Sequence, residues 1–274
     1  MIPNTIVRNR GITNFSKLIY TSLALSRNLN QTRLYYPTSI NGLLDLVSYQ
    51  KRSENHKMAR AGIVELVERK FISIYLDLAL IKEIRPVELN GSTMFYVKFN
   101  DVYNEEFVNS FDDEEIDKEL IQRGFKYTTV YLEDAVKIFT ITANHNLANI
   151  LSLYLMAVSR ALIGGLGDQY STETIENITH YAKINEKTAT TYFTTLFNNN
   201  ILYKLTLRQV LKKTSEVRDH NVYSRWCDRY NIIRVLESDE WFMKQTLLKI
   251  CNQELSEEQR MVIKAKSREL NSTP

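Results

Sequence analysis

Cysteine, proline and glycine are all scarce in this chain of 274 residues, which has two Cys, four Pro and eight Gly. Cys227 and Cys251 form no CxxC pair and have no histidine at ligand spacing, so neither a disulfide framework nor a zinc site is expected. Two thiols without a secretory signal suit a reducing cytoplasm. So little proline and glycine excludes long flexible linkers. The N-terminus, Met1-Ile2-Pro3-Asn4, has no apolar targeting core. The longest apolar run, Leu147 to Leu162, is interrupted by Asn149, Ser152, Ser159 and Arg160, so no membrane span is expected.

Catalytic signatures are missing as well. His56, His145, His180 and His220 are scattered, and there is no serine nucleophile elbow, HExxH or HxH motif. Gly164-Gly165-Leu166-Gly167 follows no strand and precedes no Lys-Ser/Thr, so it reads as a helix stop and not as a phosphate loop. The expectation is a protein without enzymatic activity, cofactor or metal.

What the chain does have is 44% hydrophobic and 24% charged residues, ordinary values for a globular protein with room for two cored domains. Its net charge of +3 is small, but the charge is unevenly distributed. Residues 1–70 carry eleven Lys/Arg against four Asp/Glu, a balance of +7, and residues 201–236 carry eight against three, a balance of +5. Residues 101–119 hold nine acids and Lys118, a balance of −8. Two basic blocks around an acidic one suggest two polyanion-facing modules and a solvated connector that keeps them apart. The dense carboxylates Asp112, Asp113, Glu114, Glu115 and Asp117 lack the glycine turn and spacing of a calcium loop.

A helical module also reads as occurring twice, about 133 residues apart. Leu18, Ala24, Ser26 and Arg27 lead to Tyr36-Pro37-Thr38; Leu151, Ala157, Ser159 and Arg160 lead to Tyr170-Ser171-Thr172. Each tripeptide is followed by a short apolar helix, a polar break, a second helix and a β-rich stretch. That order suits a winged helix-turn-helix, whose commonest task is to seat a helix in a DNA groove.

In the first module Asn14 is the expected cap of a helix over Phe15 to Asn28, and Thr38 or Ser39 that of a helix buried through Ile40, Leu43, Leu44 and Val47. A third helix, from about Ser53 to Arg69, turns Met58, Ile63, Leu66 and Val67 inward. Lys51, Arg52, Asn55, Lys57 and Arg60 cluster at its start with Glu54 and His56, as groups that can contact phosphate, guanine or adenine. Strands over Ile84 to Leu89 and Thr93 to Phe99, joined by an Asn90-Gly91 hairpin turn, would form a wing bearing Lys82, Arg85 and Lys98.

In the second module a helix is expected over Asn144 to Leu162, and another starts at Ser171 or Thr172 with Ile175, Ile178 and Ala182 inward. Asn185 caps a recognition helix over Glu186 to Asn198, buried through Phe193, Leu196 and Phe197. It leaves Lys187, Thr188, Thr190, Thr191 and Thr194 outside, with hydroxyls for phosphates and methyls for thymine. A strand over Ile201 to Val210 opens a wing whose basic loop includes Lys212, Lys213, Arg218, His220 and Arg225. Ser238 to Leu270 reads as two helices, one buried through Trp241, Phe242, Leu247, Leu248 and Ile250, that pack on the second module or join two copies as a homodimer.

The stretch from Tyr36-Pro37-Thr38 through Leu66 to Glu68-Arg69-Lys70-Phe71-Ile72 resembles the N-terminal winged-helix domain of phage and plasmid replication initiators and replisome organisers. Those domains share a Tyr-Pro-Thr opening and a Lys-Gly-Phe-Ile-like exit; here the glycine is missing. The duplicated arrangement is similar to that of plasmid initiators with two winged helices. The resemblance implies double-stranded DNA and host replication proteins as partners. The resulting expectation is a mainly α chain with small β-hairpins (α+β): winged helices at 1–100 and 141–236, an acidic connector at 101–140 and C-terminal helices at 237–274. The expected function is sequence-specific DNA binding as a replication initiator. The alternatives are a transcriptional regulator of a mobile element and a protein-interaction scaffold that binds no DNA.

Overall fold

A computed structural model of the chain describes residues 1–28, 34–77, 82–83, 85–141, 146–161, 170–171, 173–210, 217–230, 232 and 246–249. They form a mixed α/β fold with small antiparallel sheets, and none of their helices is long and apolar enough to cross a membrane. A short N-terminal strand β1 (Ile2–Pro3) and helix α1 (Asn4–Val7) precede the first repeat. That repeat runs α2 (Asn14–Asn28), β2 (Tyr35–Thr38), α3 (Ile40–Leu46), α4 (Ser53–Glu68), β3 (Ile72–Asp77), β4 (Lys82–Glu83) and β5 (Phe95–Phe99). The middle of the chain supplies α5 (Glu105–Asn109), α6 (Lys118–Gln122), β6 (Tyr127–Thr128) and α7 (Leu132–Phe139). The second repeat runs α8 (Leu147–Val158), α9 (Ile175–Ala182), α10 (Glu186–Asn198), β7 (Leu202–Val210) and β8 (Val217–Arg225), with β9 (Thr246–Lys249) after it.

The two stretches expected to be copies share several backbone features. In both repeats the extended segment before the second helix pairs with the last strand of the hairpin: Tyr36 faces Val97, and Ser171 faces Tyr223. Helix ends match more closely still. The non-glycine residues with positive φ among the described ones are Ser48 (56°), Lys70 (60°), Lys183 (51°) and Asn200 (54°), one after each second and each third helix. Each ends its helix with the same pair of hydrogen bonds, satisfying carbonyls that the helix leaves open. After α3, Tyr49 N–H donates to Leu44 O (2.9 Å) and Ser48 N–H to Asp45 O (3.1 Å); after α9, Ile184 N–H donates to Thr179 O (3.2 Å) and Lys183 N–H to His180 O (3.3 Å). After α4 and α10, Phe71 N–H reaches Leu66 O (2.9 Å) and Ile201 N–H reaches Leu196 O (3.0 Å). The third helix of each repeat is thereby aimed back into its hairpin.

Capping follows residue chemistry, with two corrections. Ser39 caps α3 and Asn185 caps α10, each accepting a backbone N–H three residues on. Asn14, however, lies inside α2; Thr13 Oγ1 accepts from Ser16 N–H (3.2 Å), which leaves Asn14 Nδ2 to reach Asn149 Oδ1 and Ala182 O, both at 2.7 Å. Helix α9 starts from Thr174 and not from Ser171 or Thr172, because the Ser171 backbone is already committed to Tyr223 through two 2.8 Å bonds. Thr172 and the Gly164–Gly167 stop lie outside the described residues.

The first sheet has the order β2-β5-β3-β4, all antiparallel, and the second β8-β7-β9. The expected hairpin at Asn90-Gly91 is not formed. Pro86 starts a 3-10 turn, Pro86–Glu88, where a strand was expected, since proline offers no N–H to a ladder. Asn90 then accepts from Ser92 N–H (3.1 Å) and Thr93 N–H (2.8 Å) in a side-chain turn. Lys98 accordingly lies in the central strand β5, between Tyr35 and Ser73. The C-terminal tail is corrected too: Thr246–Lys249, expected in a helix, is a strand that pairs with Thr206–Gln209 of β7. The rest of the two helices proposed for Ser238 to Leu270 lies outside the described residues.

One apolar core runs through both repeats. Residues 101–141 do not hold them apart; Val102, Ile116, Ile121, Ala135 and Ile138 are buried in that core. The seam is polar at its centre. Arg8, 1% exposed, donates from Nε and Nη2 to Asp117 Oδ2 (3.0 and 2.7 Å) and from Nη1 to Ser159 Oγ (2.8 Å) and Glu173 Oε2 (2.5 Å). It thus ties the N-terminus to the acidic stretch and to the second repeat. Lys17 of α2 is fully buried, and among the described residues its Nζ hydrogen-bonds the carbonyls of Val7 (3.1 Å) and Tyr181 (2.9 Å). Burial, reinforced by Lys183 and Arg8, pulls its ammonium down to about 7.

Candidate nucleic-acid interface

Helices α4 and α10 are the third helices of their repeats, and each buries one stripe and exposes the other. On α4 the inward residues are Ala59, Gly62, Ile63 and Leu66, with Met58 and Val67 half-buried. Lys51 and Arg52 at its start and Lys57 one turn in are exposed, and Asn55 and Arg60 are half-buried. Four of these five residues already have a partner. Lys51 Nζ pairs with Asp45 (2.8 Å), a bond between half-exposed groups that solvent screens. The Arg52 carbonyl accepts from His56 N–H (3.0 Å), Asn55 Nδ2 donates to Gln50 O (2.7 Å), and Arg60 Nε donates to Leu89 O (2.9 Å). The structure therefore sets these residues at and before the first two turns of α4 but not on a single face, since Asn55 and Lys57 lie on nearly opposite sides of the helix, and it holds Asn55 and Arg60 in place through backbone carbonyls.

The same helix includes groups that residue type alone does not single out. His56 bridges Arg52 O (2.9 Å) and Asn41 Oδ1 (2.6 Å), fastening α4 to α3. Beyond Arg60 a shallow groove of about 530 Å³ runs along α4, walled by Lys57, Ala61, Val64, Glu68 and Arg69. Its exposed Glu68 brings an acceptor to a face otherwise rich in donors. The signal was present in the sequence, since Lys57, Ala61 and Glu68 fall on one side of a helix at 3.6-residue spacing.

On α10, Ala189, Phe193 and Leu196 are buried, and Lys187, Thr190, Thr191 and Thr194 are exposed, with Thr188 partly covered. The hydroxyls are not free donors. Thr190 Oγ1 donates to Glu186 O (2.9 Å), Thr191 to Lys187 O (3.3 Å) and Thr194 to Thr190 O (2.9 Å). A threonine has one hydroxyl proton, so in this rotamer it offers lone pairs, which a phosphate oxygen cannot use. What α10 presents is methyl groups with the Lys187 ammonium and the Glu186 carboxylate at its start. Lys183 joins them at the corner before α10, exposed and held there by its left-handed backbone. Only the match between helix ends, Lys183 against Ser48, marks that position.

The wing residues divide. Lys212 and Lys213 lie outside the described residues, and Arg218 sits on β8 opposite Gln209. Arg225 is not in a basic loop; it closes β8 and is fully buried. Its Nη2 donates to Thr129 O, its guanidinium lies 5.0 Å from the Tyr131 ring centroid, and Nη1 is 3.8 Å from Asp228. No DNA can reach it there. Cys227 beside it is pushed up to about 11 by burial, and no group of three metal-ligating side chains occurs among the described residues.

Between the repeats lies a cleft of about 610 Å³ that includes Asn14, Tyr49, Met58, Asn146, Asn149 and Lys183. Met58 of α4 and Lys183, in the turn between α9 and α10, stand on its walls. Tyr49 from the first repeat lies beside the backbone of Leu147 and Ala148 at the start of α8, and burial raises its phenol. No protein-family model, curated protein or solved structure matches the chain, so the assignment below rests on its own geometry.

Proposed function

We propose that this chain binds double-stranded DNA through two winged helix-turn-helix units built into one body, as the replication initiator of a plasmid or phage. The observation that carries the reading is the twofold occurrence of one frame, in which a helix, a turn, an outward-facing helix and an antiparallel hairpin follow one another. In the second repeat the turn is Lys183-Ile184-Asn185, the length that joins the helices of a helix-turn-helix. In the first it is longer, from Val47 to Arg52. The resemblance to initiator domains is supported at its weakest point. Lys70 stands where their exit pattern has glycine, and it adopts the left-handed conformation that glycine favours.

In this reading α4 contributes phosphate and base-edge donors from Lys51, Arg52, Asn55, Lys57 and Arg60, and α10 contributes Lys187 with the Thr188, Thr190 and Thr191 methyls against thymine. The hairpin loop with Lys212 and Lys213, and Arg218 on its strand, add backbone contacts. Host replication proteins and a second copy of the chain are the partners this role calls for. The test is binding of the purified chain to DNA flanking its own gene and to random duplex, across a salt series. A salt-resistant preference for the flanking DNA supports a sequence-specific binder, and iterated repeats in the protected region single out an initiator over a regulator. Absence of binding at low salt overturns the reading in favour of a protein-binding scaffold.

A further inference from the structure

The first repeat holds a pocket that the DNA reading does not use. It measures about 310 Å³ and lies where the last turns of α2 meet the end of β5 and the turn at 101–103. Tyr20, Ala24 and Arg27 face it from α2, Phe99 from β5, and Tyr103 from the turn. Tyr20 is only 4% exposed, its ring packed edge-on to Phe99 at 5.1 Å, yet its hydroxyl makes no hydrogen bond among the described residues. The hydroxyl is not among the fully buried atoms that lack a partner, so the little exposure Tyr20 keeps leaves it open to donate to water or to a ligand.

Two further donors line the pocket, both with access to solvent: Arg27 is half-buried and Tyr103 is 40% exposed. The Arg27 guanidinium lies 5.2 Å from the Phe99 ring centroid and has no hydrogen bond or ion pair among the described residues. The Tyr103 hydroxyl is likewise unpaired among them. Desolvation raises both phenols above their ordinary range, so they remain proton donors at any physiological pH. The acceptors nearby are partly in use, the second carboxylate oxygen of Asp101 staying open at the pocket's edge. Asn100 Oδ1 takes Ser73 Oγ (3.1 Å), and Asp101 Oδ1 takes Tyr103 N–H (3.2 Å). The unsatisfied groups on the α2 side of the pocket are therefore donors, beside an aromatic wall. Its volume, at the small end for ligand sites, suits one ring with a short head group.

We propose that this pocket binds a small planar aromatic carboxylate, its carboxylate on Arg27 and the Tyr20 and Tyr103 hydroxyls and its ring against Phe99. The test is a titration of the full chain with benzoate by calorimetry, with cyclohexanecarboxylate and inorganic phosphate as parallel probes. Saturable benzoate binding is expected, tighter than that of either other anion. Arg27→Met keeps the aliphatic stem and should weaken benzoate at least about tenfold, the loss of a charge-assisted pair. Tyr20→Phe keeps the packed ring and should weaken it several-fold, while Arg52→Met should leave it unchanged. No saturation by about 10 mM benzoate, in the range of the weakest specific sites, overturns the proposal. So does an Arg27→Met chain that is folded and binds benzoate as before, and phosphate binding as tight as benzoate overturns the aromatic assignment. None of these outcomes depends on whether the chain binds DNA.

Discussion

Helices α4 and α10 occupy the same place in two copies of one frame, and they present opposite chemistry. The outer face of α4 is a mixture of charges, several of them fixed by backbone carbonyls. That of α10 is nearly neutral, with three exposed threonines, Thr190, Thr191 and Thr194, whose hydroxyls turn back on their own helix. The frame itself is shared: the left-handed turns at Ser48 and Lys183 and at Lys70 and Asn200, and the pairing of the pre-helix segment with the last strand. Backbone termination and core packing thus hold the architecture, while the exposed stripes are free to diverge. If both helices meet DNA, α4 supplies the electrostatic part of the affinity and α10 the apolar part.

The largest effect should come from asking whether the two copies are separable at all. Arg8→Met leaves Glu173 buried and both it and Asp117 without their cation, and a broken buried pair typically costs about 3–5 kcal/mol. Because one core spans both repeats, urea unfolding followed by tryptophan fluorescence and by far-ultraviolet dichroism should shift together to a lower midpoint. Two resolved transitions would show that the copies unfold independently and that the seam is weak.

The seam also sets a pH dependence. Lys17 releases its proton at about 7 when folded, far below an unfolded lysine. Between about pH 7 and the ordinary lysine range the unfolded chain holds a proton that the folded chain has lost, so stability rises with pH across that window. Each tenfold fall in proton affinity corresponds to about 1.4 kcal/mol, so charging the buried amine costs a few kcal/mol, and below pH 7 that cost is present in full. Lys17→Met should therefore stabilise strongly at pH 6 and little at pH 10. Equal gains at both values would mean that the amine stays charged in the fold.

How much of this was legible beforehand follows the same division. The helices over 14–28, 40–46, 53–68 and 186–198, the Asn185 cap, the choice of Thr38 or Ser39 as cap of α3, and the stripes of α3 and α10 follow from local periodicity and capping chemistry, which act within a few residues. What was missed depends on distant partners. Arg225 looked like one more cation of a basic loop, but Thr129, Tyr131 and Asp228 enclose it. The acidic stretch looked like a solvated spacer, but Asp117 and Glu115 answer Arg8 and Arg69, and its apolar residues enter the core. Asn90-Gly91 has the composition of a hairpin turn, and Pro86 four residues earlier removed the strand that would have needed it. Sequence shows a threonine hydroxyl but not its rotamer, so the bonds from Thr190, Thr191 and Thr194 to their own helix are not legible in it.

DNA binding should separate the two faces. Replacing Lys51, Arg52 and Lys57 by Ala should weaken binding to every duplex and flatten the slope of log K against log salt by about 0.9 for each phosphate no longer neutralised. Thr190→Val and Thr191→Val keep the methyls and remove only hydroxyls already bonded to the helix, so affinity should change less than about threefold, well under the worth of a base-specific pair. Thr190→Ala and Thr191→Ala remove the methyls and should relax a preference for thymine with the salt slope intact. A large loss in the valine pair would mean that the hydroxyls swing out to donate, and α10 would then resemble α4.

The smallest effect tests the frame itself. Lys70 and Asn200 sit at equivalent turns in a conformation that costs a side chain about 1 kcal/mol or more, while glycine adopts it freely. Glycine also loses more entropy on folding, roughly 0.5–1 kcal/mol, which offsets part of the gain. Asparagine tolerates the left-handed region better than lysine, since its short amide can hydrogen-bond locally. Lys70→Gly should therefore raise stability by up to about 1 kcal/mol, and Asn200→Gly by less, with both read as shifts in the urea midpoint at constant slope. If Lys70→Gly destabilises, the turn after α4 is held by contacts of the lysine chain, and the correspondence between the two helix ends fails at the position where the resemblance to initiator domains also lacks its glycine.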